Sequence, residues 1–233
     1  MKAFLLAAGL GTRLRPLTNT IPKCLVPING KPLLQYWIDL FEKHNIDEVC
    51  INLHYLSDQV IQFIETNPTK IKWCLSYEPE LLGSGGTIFS NQDFILDDEP
   101  FFICYADNLT NINLTQMLNY HNQKHSKFTM ALFETKQPKE CGIVSLNSDG
   151  FITSFEEKPL HPQSNLANAG IYVANSEIFL YNNSDKKFCD FGFEILPKLE
   201  MYGWKDSFYL LDIGTMEKYK QAQMEVTNGI FIP

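Results

Sequence analysis

The residues best suited to chemistry stand near the start of the chain. Gly9 and Gly11 follow the apolar run Ala3 to Ala8, and Thr12, Arg13, Arg15, Lys23 and Lys31 come next. Glycines let a backbone pass close to a ligand, and successive N–H groups then cradle phosphate oxygens. All 27 acidic residues lie from Asp39 onward, so no carboxylate stands among these cations. A glycine turn with unopposed cations suits a polyphosphate. Further on, Asp107 closes the apolar run Phe101 to Ala106, and Asp212 follows Leu210 and Leu211. A carboxylate at the end of a buried strand is poorly explained by packing, and it points toward the crevice where α/β sheets bind ligands. The other reading of Asp107 is a turn or cap, a part that Asn108 or Asn111 can also fill.

Strands and helices in alternation must position these groups. The run ending at Ala8 reads as a buried strand emptying into a tight loop. Asn29 to Pro32 reads as a turn into a helix, with Pro32 near its first position. Leu33, Leu34, Trp37, Ile38, Leu40 and Phe41 give that helix one apolar face. Val49 to Leu53 is a strand, Ser57 to Glu65 a helix with Val60, Ile61 and Ile64 inward, and Ile71 to Tyr77 a strand. This order predicts a parallel sheet covered on both faces, with the loops after the strands on one edge. A second glycine cluster, Gly83-Ser84-Gly85-Gly86, follows the strand that ends before Glu78. It is either a turn before a helix or a backbone that closes on a flat base. Asn113 to His125 looks helical, and Phe128 to Glu134 returns to strand. Turn residues at Asn147, Asp149 and Gly150 then predict a hairpin, so the second half of the sheet is antiparallel. A last helix starts at Thr215 and runs through Met224. His121 and His125 lie four apart, a metal-capable spacing, but their polar flanks read as a solvated pair.

Composition narrows the class. The net charge of −8 argues against nucleic acid as a partner. A cationic pocket on an acidic body suits a small anion instead. No apolar run approaches the roughly 18 residues that span a membrane, and Met1-Lys2 leads directly into the strand. The six cysteines form no C-x-x-C pair and mostly sit in apolar runs, so they read as buried thiols in a reduced, cytoplasmic setting. At 233 residues the chain is expected to form a single catalytic domain, residues 1–233.

Two familiar phosphate motifs fail. Thr12-Arg13 stands where a P-loop needs lysine and then Ser or Thr, and Leu14 occupies the third glycine of the dinucleotide fingerprint. What does match is G-x-G-T-R-x-x-P-x-T from Gly9 to Thr18, followed by Pro22-Lys23. This resembles the signature loop of the sugar-1-phosphate nucleotidyltransferases. Later segments resemble the family in order: Leu82-Gly83-Ser84-Gly85-Gly86, Ala106-Asp107, Glu157-Lys158-Pro159, Asn168-Ala169-Gly170, Asp190-Phe191-Gly192 with Leu196-Pro197, and Asp212-Ile213-Gly214-Thr215. The likeness runs from Met1 to about Met224. Departures are Cys24, where proline is more usual, and Ser84-Gly85, where Thr-Ala is more usual.

The resemblance implies an α/β, Rossmann-like three-layer sandwich with a mixed, mainly parallel central sheet. It implies a Mg²⁺-dependent reaction of an NTP with a sugar 1-phosphate, giving an NDP-sugar and pyrophosphate. Arg13, Lys23, Asp107 and Asp212 would be catalytic, with Asp107 and Asp212 holding the metal. Ala8, Gly9, Gly11, Thr12, Glu78, Gly83 and Ser84 would bind the nucleotide. Glu157, Lys158 and Asn168 would bind the sugar phosphate. The protein would be a monomer or small homo-oligomer without the long C-terminal tail of some relatives. Glu78 stands where relatives that use thymidine or uridine triphosphates often have Gln. An ionised carboxylate only accepts hydrogen bonds, and guanine offers it two adjacent donors where uracil offers one. GTP with a mannose- or heptose-type 1-phosphate is therefore favoured. A uridylyltransferase for amino sugars and a catalytically dead nucleotide-sugar sensor are the alternatives.

Overall fold

A computed structural model of the chain describes residues 1–96, 98–182 and 186–232. In chain order the main elements are β1 (Lys2–Leu6), β2 (Pro27–Ile28), β3 (Lys31–Pro32), α1 (Leu33–Lys43), β4 (Glu48–Leu53), α2 (Ser57–Thr66), β5 (Lys72–Tyr77) and α3 (Gly83–Ser90). Then follow β6 (Phe101–Tyr105), β7 (Asn108–Thr110), α4 (Leu114–Gln123), β8 (Phe128–Glu134), β9 (Gly142–Leu146), β10 (Ile152–Glu157), β11 (Leu166–Ala174), β12 (Tyr202–Lys205), β13 (Leu210–Asp212) and α5 (Met216–Thr227). The chain separates into two compact units. The first holds Met1–Leu81, Tyr105–Asn113 and Phe208–Pro233, and the second Leu82–Cys104 and Leu114–Ser207.

In the first unit β1, β4 and β5 pair in parallel, with Lys2 opposite Glu48 and Glu48 opposite Lys72. Their runs are apolar because both faces are covered, and Phe4, Leu5, Val49 and Ile51 are fully buried. Helix α1 buries the whole expected face, Leu33, Leu34, Trp37, Ile38, Leu40 and Phe41. Helix α2 buries Val60 alone, and Ile61 and Ile64 stay partly exposed. Asn29 and Gly30, both at positive φ, turn β2 into β3, the geometry of a two-residue hairpin. Strands β7 and β13 form a separate antiparallel pair. Leu109 and Ile213, in and beside that pair, join an apolar cluster with Leu14, Val26, Ile28, Ala222 and Phe231. The loop and the two aspartate-bearing segments therefore share one core.

In the second unit β11 lies between β6 and β8 and is antiparallel to both. The hairpin β9–β10 turns at Asn147 to Gly150, and β12 runs parallel to β8. The fold is thus the expected α/β class with a mixed sheet. One expectation fails here. His121 is not solvated: it is 1% exposed, with Nδ1 2.9 Å from Thr129 Oγ1 and Nε2 3.0 Å from Asn175 Oδ1. Burial holds its imidazole below the usual range, against Asn175 and Glu177, which act the other way. His125 lies past the helix at positive φ, so the two rings share no helix face.

The second glycine cluster is shaped by close approach. Gly83 has φ +75, and a Cβ on it would lie 2.4 Å from the Cys189 carbonyl oxygen. Gly30 has φ +78 but nothing within 4 Å of a Cβ. Gly30→Ala is therefore expected to cost only the left-handed strain, about 1–2 kcal/mol. Gly83→Ala adds a backbone clash and is expected to cost roughly 3 kcal/mol or more. Urea midpoints of the two variants check this, and equal losses would count against the close approach.

Candidate active site

The signature loop is set by side chains that reach it from elsewhere in the first unit. Asn52, at the end of β4, accepts the Ala7 N–H at 2.6 Å and the Ala8 N–H at 3.2 Å. Gly11 has φ +60, and a Cβ there would meet Thr18 Cγ2 at 2.9 Å. The fully buried Thr18 donates its hydroxyl to the Gly11 carbonyl at 2.7 Å. Tyr55 and Gln59 tie down the carbonyls of Asn19 and Thr20. Gly9 has open space around it, and Thr12, Arg13 and Arg15 are exposed. Lys31 does not join this group. It pairs with Asp39 and stands 4.3 Å from the Tyr36 ring centroid.

Backbone pairing brings the two aspartates together. Ala106 N–H donates to the Leu6 carbonyl, which holds Asp107 beside the start of the loop. Asp212 lies opposite Asn108 in the β7–β13 ladder, and Ile213 N–H donates to the Asp107 carbonyl at 2.8 Å. Lys23 Nζ stands 2.6 Å from Asp107 Oδ2 and 3.7 Å from Asp212 Oδ1. Lys218 Nζ is 3.7 Å from Asp212 Oδ2. A Cβ on Gly214 would meet the Asp212 carboxylate at 2.8 Å and Arg13 Nη2 at 3.2 Å, so this glycine leaves room for both. Burial pushes the Asp212 carboxyl up, Asp107 adds to that, and Lys23, Lys218 and Arg13 oppose it. Asp212 Oδ1 is buried and has no hydrogen-bond partner.

That orphaned oxygen beside a second carboxylate fits a divalent cation. Among the described residues no group of three or more His, Cys, Asp or Glu side chains is arranged to hold a metal. A cation here would complete its shell with substrate oxygens and water, as Mg²⁺ commonly does.

Glu78 is 1% exposed and is held by three consecutive residues of the β4 end. Asn52 Nδ2 donates to its Oε1 at 2.9 Å, its N–H donates to the Leu53 carbonyl, and its own carbonyl lies 2.7 Å from His54 Nδ1. A carbonyl only accepts, so His54 carries its proton on Nδ1 in this contact.

The remaining sequence-derived residues lie in the second unit. Ser84 Oγ accepts the Phe191 N–H at 3.0 Å, and the N–H groups of Gly85 and Gly86 donate to the Cys189 carbonyl. The Glu157 carboxylate rests against Gly142 and Gly192, where a Cβ would meet it at 2.6 and 3.4 Å. Burial pushes its carboxyl up, Lys158 opposes this and Asp190 adds to it. Lys158 has φ +51, with Nζ 3.9 Å from Glu157 Oε1 and 5.8 Å from the exposed Phe193 ring centroid. Positive φ on a lysine is a strained conformation of the kind found at binding sites. Asn168 hydrogen-bonds within its own strand. Its Oδ1 accepts the Gly170 N–H and its Nδ2 donates to Tyr172 Oη, where the β11 register shifts.

Sequence reasoning missed Asn52, Thr18 and Lys218. Lys218 carried a signal: its N–H is capped by Thr215 Oγ1, which places a cation in the first turn of α5. A helix N-terminus disfavours a cation, and here Asp212 lies 3.7 Å from Lys218 Nζ.

An α/β fold with a glycine loop, paired carboxylates and flanking cations defines a phosphate-handling protein that works on a nucleotide. The chain belongs to the nucleotidyl transferase family, whose model matches residues 2–229. It is 31% identical over 233 residues to a D-glycero-alpha-D-manno-heptose 1-phosphate guanylyltransferase of Aneurinibacillus thermoaerophilus, covering 99% of this chain and 100% of that one. It is 30% identical to a UTP–glucose-1-phosphate uridylyltransferase of Synechocystis, covering 95% of this chain and 62% of that one. The chain spans between 51% and 62% of the length of three of its curated relatives. Among solved structures, HddC from Yersinia pseudotuberculosis complexed with GMP-PN superposes with a TM-score of 0.81 at 25% identity, over 97% of this chain and 99% of that one.

The raised Asp212 carboxyl has a consequence for stability. The fold favours its protonated form, so the contribution is present below the unfolded pKa of about 3.9 and is lost as pH rises through the folded value. Asp212→Asn removes the charge and keeps the shape. It is expected to raise the metal-free melting temperature at pH 7, by roughly 2–4 °C for each kcal/mol gained, and to abolish any rise on adding Mg²⁺ with nucleotide. Differential scanning fluorimetry checks this. A lower melting temperature in the variant would show that the Lys23 and Lys218 contacts outweigh burial and repulsion.

Proposed function

We propose that the chain transfers the nucleotidyl group of GTP to a manno-configured sugar 1-phosphate, of mannose or heptose type, releasing pyrophosphate. The observation that carries the reaction class is the pairing of Asp107 and Asp212 among Lys23, Lys218 and Arg13, beside a glycine loop in the first unit. The guanine and manno preference is supported by end-to-end similarity to a heptose 1-phosphate guanylyltransferase. Glu78 is the acceptor-only group that guanine calls for, although it is 1% exposed and its Oε1 already accepts from Asn52.

The sugar-phosphate oxygen attacks the α-phosphorus in line with the departing pyrophosphate. That oxygen is already anionic near neutral pH, so no side chain has to remove a proton. The obstacle is repulsion between polyanions, and the protein's contribution is positioning and charge neutralisation. Arg13 faces the leaving pyrophosphate. Lys23 serves the α-phosphate, and leaves its contact with Asp107 to do so. The backbone from Gly9 to Thr12 holds the triphosphate. Lys158 binds the sugar phosphate, with Glu157 toward sugar hydroxyls. Asp107 and Asp212 would hold Mg²⁺, whose charge offsets that of the phosphates.

Lys158→Ala is expected to raise the sugar 1-phosphate KM at least tenfold, the loss of a charge-assisted contact of roughly 1.5–3 kcal/mol, with the NTP KM little changed. The reverse pattern would exchange the two substrate ends. Initial rates of pyrophosphate release decide the base and the sugar, using the four NTPs at equal subsaturating concentration against a panel of sugar 1-phosphates. The expected order is GTP, then UTP, then CTP and ATP. A UTP rate tenfold above GTP would favour the uridylyl reading that the Synechocystis relative suggests.

A further inference from the structure

Asn52 takes no part in the nucleotidyl transfer itself, yet it touches both the phosphate loop and the residue assigned to the base. Asn52 is 5% exposed, and its amide orientation is unambiguous. The N–H groups of Ala7 and Ala8 can only donate, so the atom facing them at 2.6 and 3.2 Å is the carbonyl oxygen. The amide nitrogen must then face Glu78, and it does so at 2.9 Å from Oε1. Both ends are satisfied in one orientation, and a flipped amide would set nitrogen against N–H and oxygen against carboxylate.

We propose that Asn52 is a positioning residue for nucleotide selection, setting the first turn of the phosphate loop and the Glu78 carboxylate through one amide. This rests on the reading of Glu78 as the base-facing group. Leu53 and His54 hold the Glu78 backbone, and Asn52 donates to its carboxylate. A nucleotide then meets a loop and a base-reading carboxylate that share one side-chain partner. Displacing either end loosens the other.

The test is a reversal of the Asn52–Glu78 hydrogen bond. Asn52→Asp keeps an acceptor for Ala7 and Ala8 but sets a carboxylate against Glu78. It is expected to raise the NTP KM at least tenfold while the sugar 1-phosphate KM stays within about twofold, since a charge-assisted contact is replaced by repulsion. In the double variant with Glu78→Gln, the new amide donates to the carboxylate introduced at position 52 and restores the contact in the opposite sense. Recovery of the NTP KM from the Asn52→Asp value to within about twofold of that of Glu78→Gln alone supports the proposal. Failure of the double variant to recover, or a loss shared equally by kcat and both KM values with a fallen melting temperature, overturns it. If Asn52→Ala is the variant that folds, the same split between the two KM values is required of it, and a uniform loss overturns the proposal. Glu78→Gln alone reads the base assignment separately. An unchanged ratio of GTP to UTP efficiency there would remove Glu78 from base recognition, while the KM recovery would still report the coupling of loop and residue 78.

Discussion

Two carboxylates held side by side, partly out of water, repel each other, and much of the first unit is arranged around that fact. The β7–β13 ladder fixes the repulsion in place, because Asp107 and Asp212 stand next to paired backbone rather than on free loops. Lys23, Lys218 and Arg13 come from three different segments to offset it. Burial first, with Asp107 adding to it, still leaves the Asp212 carboxyl raised against these cations, and its Oδ1 has no hydrogen-bond partner. Stability is given up at the point where a cation and phosphates would restore it, a pattern expected where a local conflict serves function.

The parts of this arrangement that were legible in the sequence were those written locally. An acid closing an apolar run, a glycine pair before a row of cations, and a turn pair between alternating strands each announce themselves within a few residues. Helix α1 showed its whole buried face because its apolar spacing matches one helical stripe. What was not legible came from contacts far apart in the chain. Thr18 reads as one more loop threonine until the Gly11 carbonyl is seen above it. Asn52 reads as a polar residue at a strand end until its partners appear on Ala7, Ala8 and Glu78. Lys31 looked like part of the cationic row because its neighbours in sequence are basic, but the helix that follows turns Asp39 toward it.

His121 shows the opposite error, a local pattern given too much weight. Its polar neighbours suggested a solvated face. In the fold its ring is enclosed, with Thr129 at one nitrogen and Asn175 at the other. A histidine satisfied on both nitrogens by neutral partners is a core residue with a polar seam. Asn168 is a related case, since its family position points to sugar while its amide supports the β11 irregularity. One amide proton of its side chain is committed to Tyr172, which sets the direction from which any ligand contact must come.

The seat of Cys189 on α3 also decides where phosphate charge can be received. A helix that begins with glycines ordinarily presents bare N–H groups, a standing invitation to an anion. Here the Gly85 and Gly86 N–H groups already donate to the Cys189 carbonyl, and the Gly83 position leaves no gap beside it. Two N–H groups near the positive end of this helix are thus taken by the protein's own backbone. Its glycines act as a socket for a neighbouring strand of chain, which leaves anion capture to the loop after β1, where Gly9 stays open.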